Sequence, residues 1–580
     1  MTTTRQTVLS LWFFLLIAIT LIYFPGLYGS YEFDDIANII VNKTLEVDEF
    51  SVQALKDIAL SRSDNSGSGR PISFLSFALN VNTTGWSPFY FKVTNLFIHL
   101  LNGILVFVFI KLLLSHGQLT KNSLENNSMV LLALGVSAFW LVHPIQLTSV
   151  LYIVQRMTSL SALFLLLACI VYIKGRGLSQ THSVAMPVTL LSVSLLTMLA
   201  VLSKENGALA PLFLLIIESF TYKFKTRKRI DFILLLLFFG LSIGLLLYFI
   251  LPGRPLSHWS EMIPGRHFSL TERLYTEVTV IWLYLSLILT PVSEHFSIYH
   301  DYWPVSKSLL QPISTLISLL ALLGCLLLTV LFRHKYPFLL FGLLWFLAGH
   351  AMESTFIPLE LVHEHRNYLP SLGILLGLVF SLYQIKNIRL FTLVYVLFFS
   401  LFAWATYERS VEWSNEMKHA IAEVKNHPSS ARANYQLGRV MYYAYKKRPL
   451  QASYFSSSQF YKNAIELSDY NLNAYIGHFI LDGVAKKPLD RELYQAFLKR
   501  LEFAPIRNQS LAYFQTLNNC QVEQRCPFSH GEFIEIYRAM NRNKQLSARL
   551  RNALKGMFYA YMSWYQQNHA SDVMEKKLPD

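Results

Sequence analysis

The sequence predicts an all-α, polytopic membrane protein of about eleven transmembrane helices, followed by a C-terminal α-helical domain. Hydrophobic residues make up 53% of the 580 residues and charged residues only 15%, and the mean hydropathy is +0.36. This composition is too apolar for a soluble multidomain protein. The apolar residues also form runs long enough to cross a hydrocarbon core of about 30 Å, whereas residues 408–580 are polar with a helical period.

The first apolar run, residues 8–24, follows Arg5 and has no small-residue cleavage site before Pro25, which predicts an uncleaved signal anchor. With Arg5 inside, residues 26–90 form the first external loop, which holds an amphipathic stretch and a Ser/Gly-rich stretch. The later runs predicted to cross are 93–114, 130–147, 151–173, 184–202, 208–220, 232–251, 313–332, 338–349, 374–383 and 390–405.

The positive charge sets the predicted orientation. The net charge is +14, but the basic residues gather in short loops between apolar runs, most densely at 223–229. This placement is typical of loops on the inner side of a membrane and predicts no nucleic-acid partner. The basic loops stay inside when run 278–289 is interfacial, which gives the count of about eleven crossings. The alternatives are 12 or 13.

The predicted domain boundary lies at 407/408, between a transmembrane domain of residues 1–407 and an extracytoplasmic helical domain of residues 408–580. Small residues and aromatics alternate at about 431–475 in a pattern typical of a tetratricopeptide (TPR) helical hairpin, with an insertion expected around 444–455. Cys520 and Cys526 close a very short loop. They form a disulfide in an oxidising compartment or a reduced pair otherwise.

Polar groups from distant external loops fall on one predicted membrane face, although ionisable residues near a bilayer are costly to desolvate. Their convergence predicts a functional site. The groups are Asp34 and Asp35; Arg70; Gln155 and Arg156; Lys204 and Glu205; and His363, His365 and Arg366.

Several motifs in a fixed order carry a family resemblance. They are the segments 34–42, 70–80, 91–99, 143–146, 155–156, 203–205 and 364–370. In this order they resemble the transmembrane-and-tetratricopeptide O-mannosyltransferases and their bacterial relatives, within the GT-C superfamily of polyprenyl-phosphate-sugar-dependent glycosyltransferases. The resemblance covers most of residues 1–428 and includes the TPR tail, which is shorter here and shows one convincing repeat.

The resemblance implies an inverting transfer in which a carboxylate takes the proton from the acceptor hydroxyl as it attacks the anomeric carbon. Asp34 and Asp35 are the catalytic candidates, with a slight preference for Asp35. Fixed positive charge would hold the donor phosphate and stabilise the leaving group. Arg156, Lys204, Arg366 and Arg70 are the candidates for this role, and His363, His365, Glu205 and Gln155 are candidates for orienting donor or acceptor.

Structural roles compete with these assignments. The two aspartates could cap a helix, and Arg156 and Lys204 could be interfacial residues whose charged ends reach the membrane surface. The sequence shows no compact metal-ligand cluster beyond the His363/His365 pair. This pair could bind a divalent metal, but a hydrogen-bonded loop is the favoured interpretation, so no metal site and no cofactor are expected.

We therefore expect a membrane glycosyltransferase that moves a sugar, with mannose as the leading candidate, from a polyprenyl phosphate to a hydroxyl of an exported protein. The location expected is the bacterial inner membrane, with the C-terminal domain in the periplasm, and the alternative compartment is the lumen of the endoplasmic reticulum. An O-antigen ligase or polymerase is one alternative, although such enzymes are expected to carry their key residues in a late loop. A non-enzymatic, membrane-anchored TPR scaffold is the other.

Overall fold

A computed structural model describes residues 5–61, 69–115, 125–251, 258–261, 263, 266, 268–504, 506 and 510–569. The described residues form α-helices and short 3-10 and π-helical turns, and they contain no extended β-strand. The all-α prediction is therefore confirmed. The chain divides into two compact units, the first drawn from residues 1–261, 268–298 and 304–415, and the second from residues 262–267, 299–303 and 416–580.

The first unit contains the long apolar helices. In chain order its helices are α1 Arg5–Tyr23, α2 Val52–Ala59, α3 Pro71–Thr84, α4 Pro88–Ser115, α5 Asn126–Val142, α6 Leu147–Leu151, α7 Arg156–Leu178, α8 Ala185–Ser203, α9 Ala210–Ile217, α10 Arg229–Ile250, α11 Leu270–Leu289, α12 Ile313–Leu331, α13 Pro337–His350, α14 Ser371–Tyr383 and α15 Ile388–Glu412.

Within the described residues, seven helices are long and apolar enough to cross a membrane, and the bent pair formed by α5 and Pro144–Leu151 makes an eighth. The protein is thus a multi-pass membrane protein. The difference from the predicted eleven lies in α9, α13 and α14, which have 8, 14 and 13 residues. A helix of 14 residues is about 21 Å long, shorter than a hydrocarbon core of about 30 Å.

The bend of 54° between α5 and the next segment follows from local chemistry. Pro144 lacks an N–H group and cannot continue the preceding helix. The Nδ1 atom of His143 accepts a hydrogen bond from the backbone N–H of Ile145 (3.1 Å), and its Nε2 lies 2.8 Å from the Ile288 carbonyl oxygen. His143 is fully buried, so it shapes this helix end.

The segment between α13 and α14 lies in the interior of the first unit, where buried polar groups hold it in place. The Tyr368 hydroxyl lies 2.9 Å from His99 Nδ1 and accepts a hydrogen bond from Asn102 Nδ2 (3.1 Å). The indole N–H of Trp140 donates to the Tyr368 carbonyl oxygen (2.9 Å). These contacts fix the position of Arg366, two residues earlier.

The second unit is a helical domain with its own core. Its helices are α16 Glu416–Asn426, α17 Ala431–Lys447, α18 Gln451–Leu467, α19 Leu472–Val484, α20 Arg491–Leu501, α21 Ser510–Val522, α22 His530–Arg542 and α23 Ala548–Asn568. Aromatic residues dominate the core, among them Tyr461, Phe479, Phe497 and Phe533, all buried.

Helices α17 and α18 form a hairpin at the position predicted for the repeat. Ser457 Oγ donates to the Gly438 carbonyl oxygen (2.7 Å), and a Cβ at Gly438 would lie 2.9 Å from the Tyr461 ring. The insertion expected around 444–455 is not a loop, because α17 ends at Lys447 and α18 begins at Gln451. Its residues lengthen the two helices. Membership in the TPR class stays a prediction.

Candidate functional site

Asp35 lies in the segment between α1 and α2, in a turn that follows Phe33, whose φ of 38° is positive. Its side chain is fully buried. Oδ2 accepts a hydrogen bond from the backbone N–H of Glu32 (3.0 Å), and Oδ1 accepts one from the backbone N–H of Val154 (2.7 Å). Burial raises the pKa of Asp35 to about 7, although both hydrogen bonds and nearby Lys92 oppose the rise.

Asp34 is the half-buried member of the pair. Its backbone N–H donates to the Tyr152 hydroxyl (2.9 Å), and its carbonyl oxygen accepts from Asn38 Nδ2 (2.8 Å). The main chain of Asp34 is therefore held on both sides, and its side chain also interacts with Tyr152. Of the two aspartates, Asp34 is the more exposed residue.

Two buried charges beside the aspartates were not among the residues predicted from the sequence. Glu32 is 4% exposed and Lys92, in the first turns of α4, is fully buried. Lys92 Nζ donates to the Gly26 carbonyl oxygen (3.3 Å). A Cβ at Gly29 would lie 2.7 Å from Lys92 Nζ and 2.0 Å from the Trp413 carbonyl oxygen. Glycine at this position therefore leaves the space that the ammonium group occupies.

Arg156 is fully buried at the start of α7. Its guanidinium donates to Asn95 Oδ1 (2.7 Å) and to the carbonyl oxygens of Ser76 (2.9 Å) and Phe91 (2.9 Å). It also lies over the Phe77 ring, 4.8 Å from the centroid. These contacts join α3, α4 and α7, so the structure gives Arg156 a packing role and does not bring it to the pocket described below.

Lys204 and Arg366 meet at a buried carboxylate, Glu353. Lys204 Nζ lies 3.5 Å from Glu353 Oε1, and Arg366 Nε lies 3.8 Å from Glu353 Oε2. Burial raises the pKa of Glu353, but Lys204 and Arg366 outweigh it, so the pKa stays below its ordinary value. Neither Arg366 Nε nor Glu353 Oε2 has a hydrogen-bond partner. Two cations thus share one carboxylate.

These cations line a pocket that is partly open to solvent, with about 360 Å³ of space when the open part is included. Its polar wall contains Lys204, Arg366, Thr158 and Asn206, and Lys204 Nζ donates to Thr158 Oγ1 (3.0 Å). The rest of the lining is mostly apolar and consists of Ser161, Ala162, Leu165, Leu209, Phe213, Gly349, Tyr368, Leu369 and Pro370. The pocket therefore suits an amphipathic ligand with an anionic end.

Arg70 and Glu205 pair at the edge of this region. Arg70 Nε donates to both carboxylate oxygens of Glu205 (3.0 and 3.1 Å), and both side chains are 30% exposed. Arg70 also contacts Met157 through Nη1 (3.1 Å to Sδ). Glu205 therefore neutralises Arg70 and holds it beside the start of α7.

His363 and His365 stack on each other with ring centroids 5.0 Å apart. Burial lowers the pKa of His365 far below its ordinary value, and Lys204, His363, Arg366 and Arg70 add to this because each disfavours another positive charge. His365 is therefore neutral at physiological pH. Among the described residues, no group of three or more His, Cys, Asp or Glu side chains could hold a metal ion.

The segment 152–158 connects the aspartates to the pocket. Tyr152 and Val154 contact Asp34 and Asp35, whereas Met157 and Thr158 contact Arg70 and Lys204. Gln155, between them, accepts from Thr158 Oγ1 (2.8 Å). Val154 and Thr158 are about one helical turn apart, roughly 6 Å along the axis.

The structure thus gathers most of the predicted site residues into one region. Two neighbouring groups form, one around the aspartates and one around the cations, and the cation group includes Arg70, Lys204, Glu205, His363, His365 and Arg366. Glu32, Lys92 and Glu353 were missed. Lys92 interrupts an apolar helix, and that interruption is the sequence signal that could have identified it.

Comparison with known proteins agrees with the motif order. The chain is 25% identical over 446 residues to the Caenorhabditis elegans protein O-mannosyl-transferase F38B6.6, covering 74% of this chain and 59% of that protein. It is 27% identical over 193 residues to human protein O-mannosyl-transferase TMTC3, covering 33% of this chain and 19% of that protein. Its curated homologues are protein O-mannosyl-transferases.

A mouse relative, protein O-mannosyl-transferase TMTC1, is 30% identical over 203 residues, which cover 32% of this chain and 20% of that protein. The chain thus spans less than two thirds of the length of these relatives. The predicted resemblance is confirmed, but these relatives are animal proteins and give no support for a bacterial kinship. No family model matches the chain, and no solved structure matches it.

Proposed function

We propose that this protein is a membrane glycosyltransferase that transfers a sugar, with mannose as the candidate, from a polyprenyl-phosphate donor to a hydroxyl of a protein. The observation that carries the proposal is the pairing of a cation-lined, half-apolar pocket with a partly exposed aspartate, both held by the segment 152–158. The names of the relatives support mannose and a protein acceptor.

The charge of the pocket suits a phosphodiester. Lys204 and Arg366 share Glu353, so Glu353 leaves one positive charge of this pair unbalanced. A polyprenyl-phosphate sugar carries one negative charge, and its polyprenyl-phosphate product gains a second as the sugar leaves. Fixed cations in a buried site stabilise that developing charge, because little solvent screens them. Arg366 Nε has a free donor for a phosphate oxygen.

The apolar wall of the pocket suits the donor's hydrocarbon. Leu165 and Phe213 lie on α7 and α9 and line the same pocket as Lys204. A prenyl chain packed there would place its phosphate at Lys204 and Arg366. The sugar would then extend towards the aspartates along the segment 152–158.

Asp34 is the proposed general base, because it is the more exposed residue of the two. The proton of the acceptor hydroxyl passes to Asp34 while the hydroxyl oxygen bonds to the anomeric carbon. The bond from that carbon to the phosphate oxygen breaks, and its electron pair leaves with the polyprenyl phosphate. This direct displacement inverts the anomeric centre. Asp35, fully buried and hydrogen-bonded, positions the turn that carries Asp34.

We propose that this site faces the extracytoplasmic side, with the C-terminal domain on the same side. The Cys520–Cys526 disulfide supports an oxidising compartment for that domain. The bacterial inner membrane and the periplasm stay predictions without support from the animal relatives. The acceptor would be an exported or membrane protein, consistent with this compartment.

The test uses the full chain reconstituted in lipid, a polyprenyl-phosphate mannose donor and a serine/threonine peptide acceptor. Asp34→Asn should lower transfer by a factor on the order of 10² to 10⁴, the usual contribution of a general base. Asp48→Asn is the matched control, since Asp48 is an exposed carboxylate of the same loop, and it should retain transfer. Full activity of Asp34→Asn would overturn the assignment of Asp34 as the base. Use of a diphosphate-linked oligosaccharide instead of the monophosphate donor would overturn the donor assignment.

A further inference from the structure

Lys92 is a lysine enclosed by protein at the start of a membrane-spanning helix. It is fully buried, and Gly29 and the Gly26 carbonyl oxygen close around its ammonium group. A cation in this position is costly to desolvate unless anions compensate it. Glu32 and Asp35 are those anions, both buried and both close enough to interact with it electrostatically.

Asp35 needs a cation for a structural reason. It joins two chain segments through backbone N–H groups, that of Glu32 in its own turn and that of Val154 before α7. A carboxylate accepts such hydrogen bonds more strongly than a neutral acid. Loss of the charge on Asp35 would therefore loosen the contact between the aspartate turn and the segment 152–158.

We propose that Lys92 is a positioning residue whose charge favours the ionised form of Asp35, so that Asp35 holds the turn of Asp34 against the start of α7. The effect on transfer rests on the function proposed above, whereas the effect on Asp35 does not. The charged and titratable groups around Asp35 are Tyr31, Glu32, Asp34, Lys92, Tyr152 and Arg156. Glu32 opposes Lys92 by favouring the neutral acid.

The direction of the pH effect follows from these charges. Lys92 lowers the pKa of Asp35 and Glu32 raises it. Removing a cation that lies near a carboxyl raises the pKa of that carboxyl, typically by about 1–3 units. In Lys92→Met the acid limb of the pH–rate profile should therefore move at least about one unit to higher pH, whereas Glu32→Gln should move it to lower pH. The double variant should lie between them.

The experiment measures transfer against pH for the wild type, Lys92→Met, Glu32→Gln and the double variant. Lys111→Met is the matched control, because Lys111 lies on the same helix away from the aspartates, and its profile should match that of the wild type. At pH 7, a rise in the pKa of Asp35 from about 7 to about 8 lowers its ionised fraction from about one half to about one eleventh, so Lys92→Met should lower kcat about fivefold with little change in KM. If Lys92→Met does not fold, the opposite shift in Glu32→Gln still tests the proposal.

A second readout needs no activity. Infrared difference spectroscopy of the carboxyl band follows the protonation of Asp35, with Asp35→Asn to assign the band. Hydrogen exchange of the backbone amides in the segment 152–158 reports how firmly the Val154 N–H is hydrogen-bonded to Asp35. This exchange should be faster in Lys92→Met. Unchanged titration of Asp35 in both Lys92→Met and Glu32→Gln would overturn the proposal. A wild type without transfer, but with the expected infrared shifts, would overturn the proposed function and leave the role of Lys92 standing.

Discussion

The ion cluster at Glu353 leads to a sharp prediction about stability. Glu353→Gln keeps the shape of the side chain but removes the carboxylate that lies 3.5 Å from Lys204 Nζ and 3.8 Å from Arg366 Nε. With an effective dielectric constant of about 20, each attraction is about 4–5 kcal/mol before desolvation is counted. Breaking a buried pair typically costs about 3–5 kcal/mol. We expect a loss in the free energy of unfolding of this size.

Glu205→Gln is the matched control for this variant. The Arg70–Glu205 pair has better geometry, but both side chains are 30% exposed, so solvent screens the pair and its loss should cost about 1 kcal/mol or less. Chemical unfolding in detergent micelles measures both variants. Polyprenyl phosphate should stabilise Glu353→Gln more than the wild type, because its phosphate replaces the missing anion. A loss no greater than that of Glu205→Gln, without added stabilisation by polyprenyl phosphate, would refute the reasoning.

Three further predictions concern parts of the chain away from this cluster. Glu218→Ala should lower the free energy of unfolding by about 3–5 kcal/mol, because it strands buried Arg176, whose Nη2 lies 2.7 Å from Glu218 Oε1; chemical unfolding in micelles measures this. Arg156→Met should reduce the midpoint of thermal unfolding while leaving the KM for donor unchanged, because Arg156 contacts no group of the pocket lining; a raised KM in a stable variant would contradict this. Cys520→Ser should lower the free energy of unfolding of the C-terminal unit by about 2 kcal/mol, because the disulfide no longer reduces the entropy of the unfolded chain by closing this short loop. Thermal unfolding with and without reductant measures the effect, and the reductant should not affect the variant.

The sequence predicted the long helices well because a membrane requires long apolar runs. Helices α4, α10 and α12 lie within a few residues of their apolar runs. The short helices were harder, since an apolar run of 13 residues at 208–220 is divided between α9 and a π-helical turn that begins at Glu218. Periodicity does not distinguish a full crossing from a shorter helix buried in protein.

The candidate site was predictable where motifs carry polar residues into loops, as at Asp34, Lys204 and Arg366. Their division into two neighbouring groups was not, because it depends on contacts between segments far apart in the chain. Arg156 shows most clearly that the sequence alone does not reveal which polar residues face a ligand. Its position beside the other motifs suggests a ligand contact, but its guanidinium is committed to Asn95, Ser76 and Phe91.

The segment 152–158 has a consequence for how the protein responds to its membrane. Because one short stretch of backbone contacts both the aspartates and the cations, the spacing between them depends on local chain geometry and not on the tilt of helices across the bilayer. A thinner or thicker bilayer can tilt the long helices without changing that spacing. We therefore expect lipid composition to alter how readily the donor enters the pocket, and to leave the rate of the chemical step nearly constant.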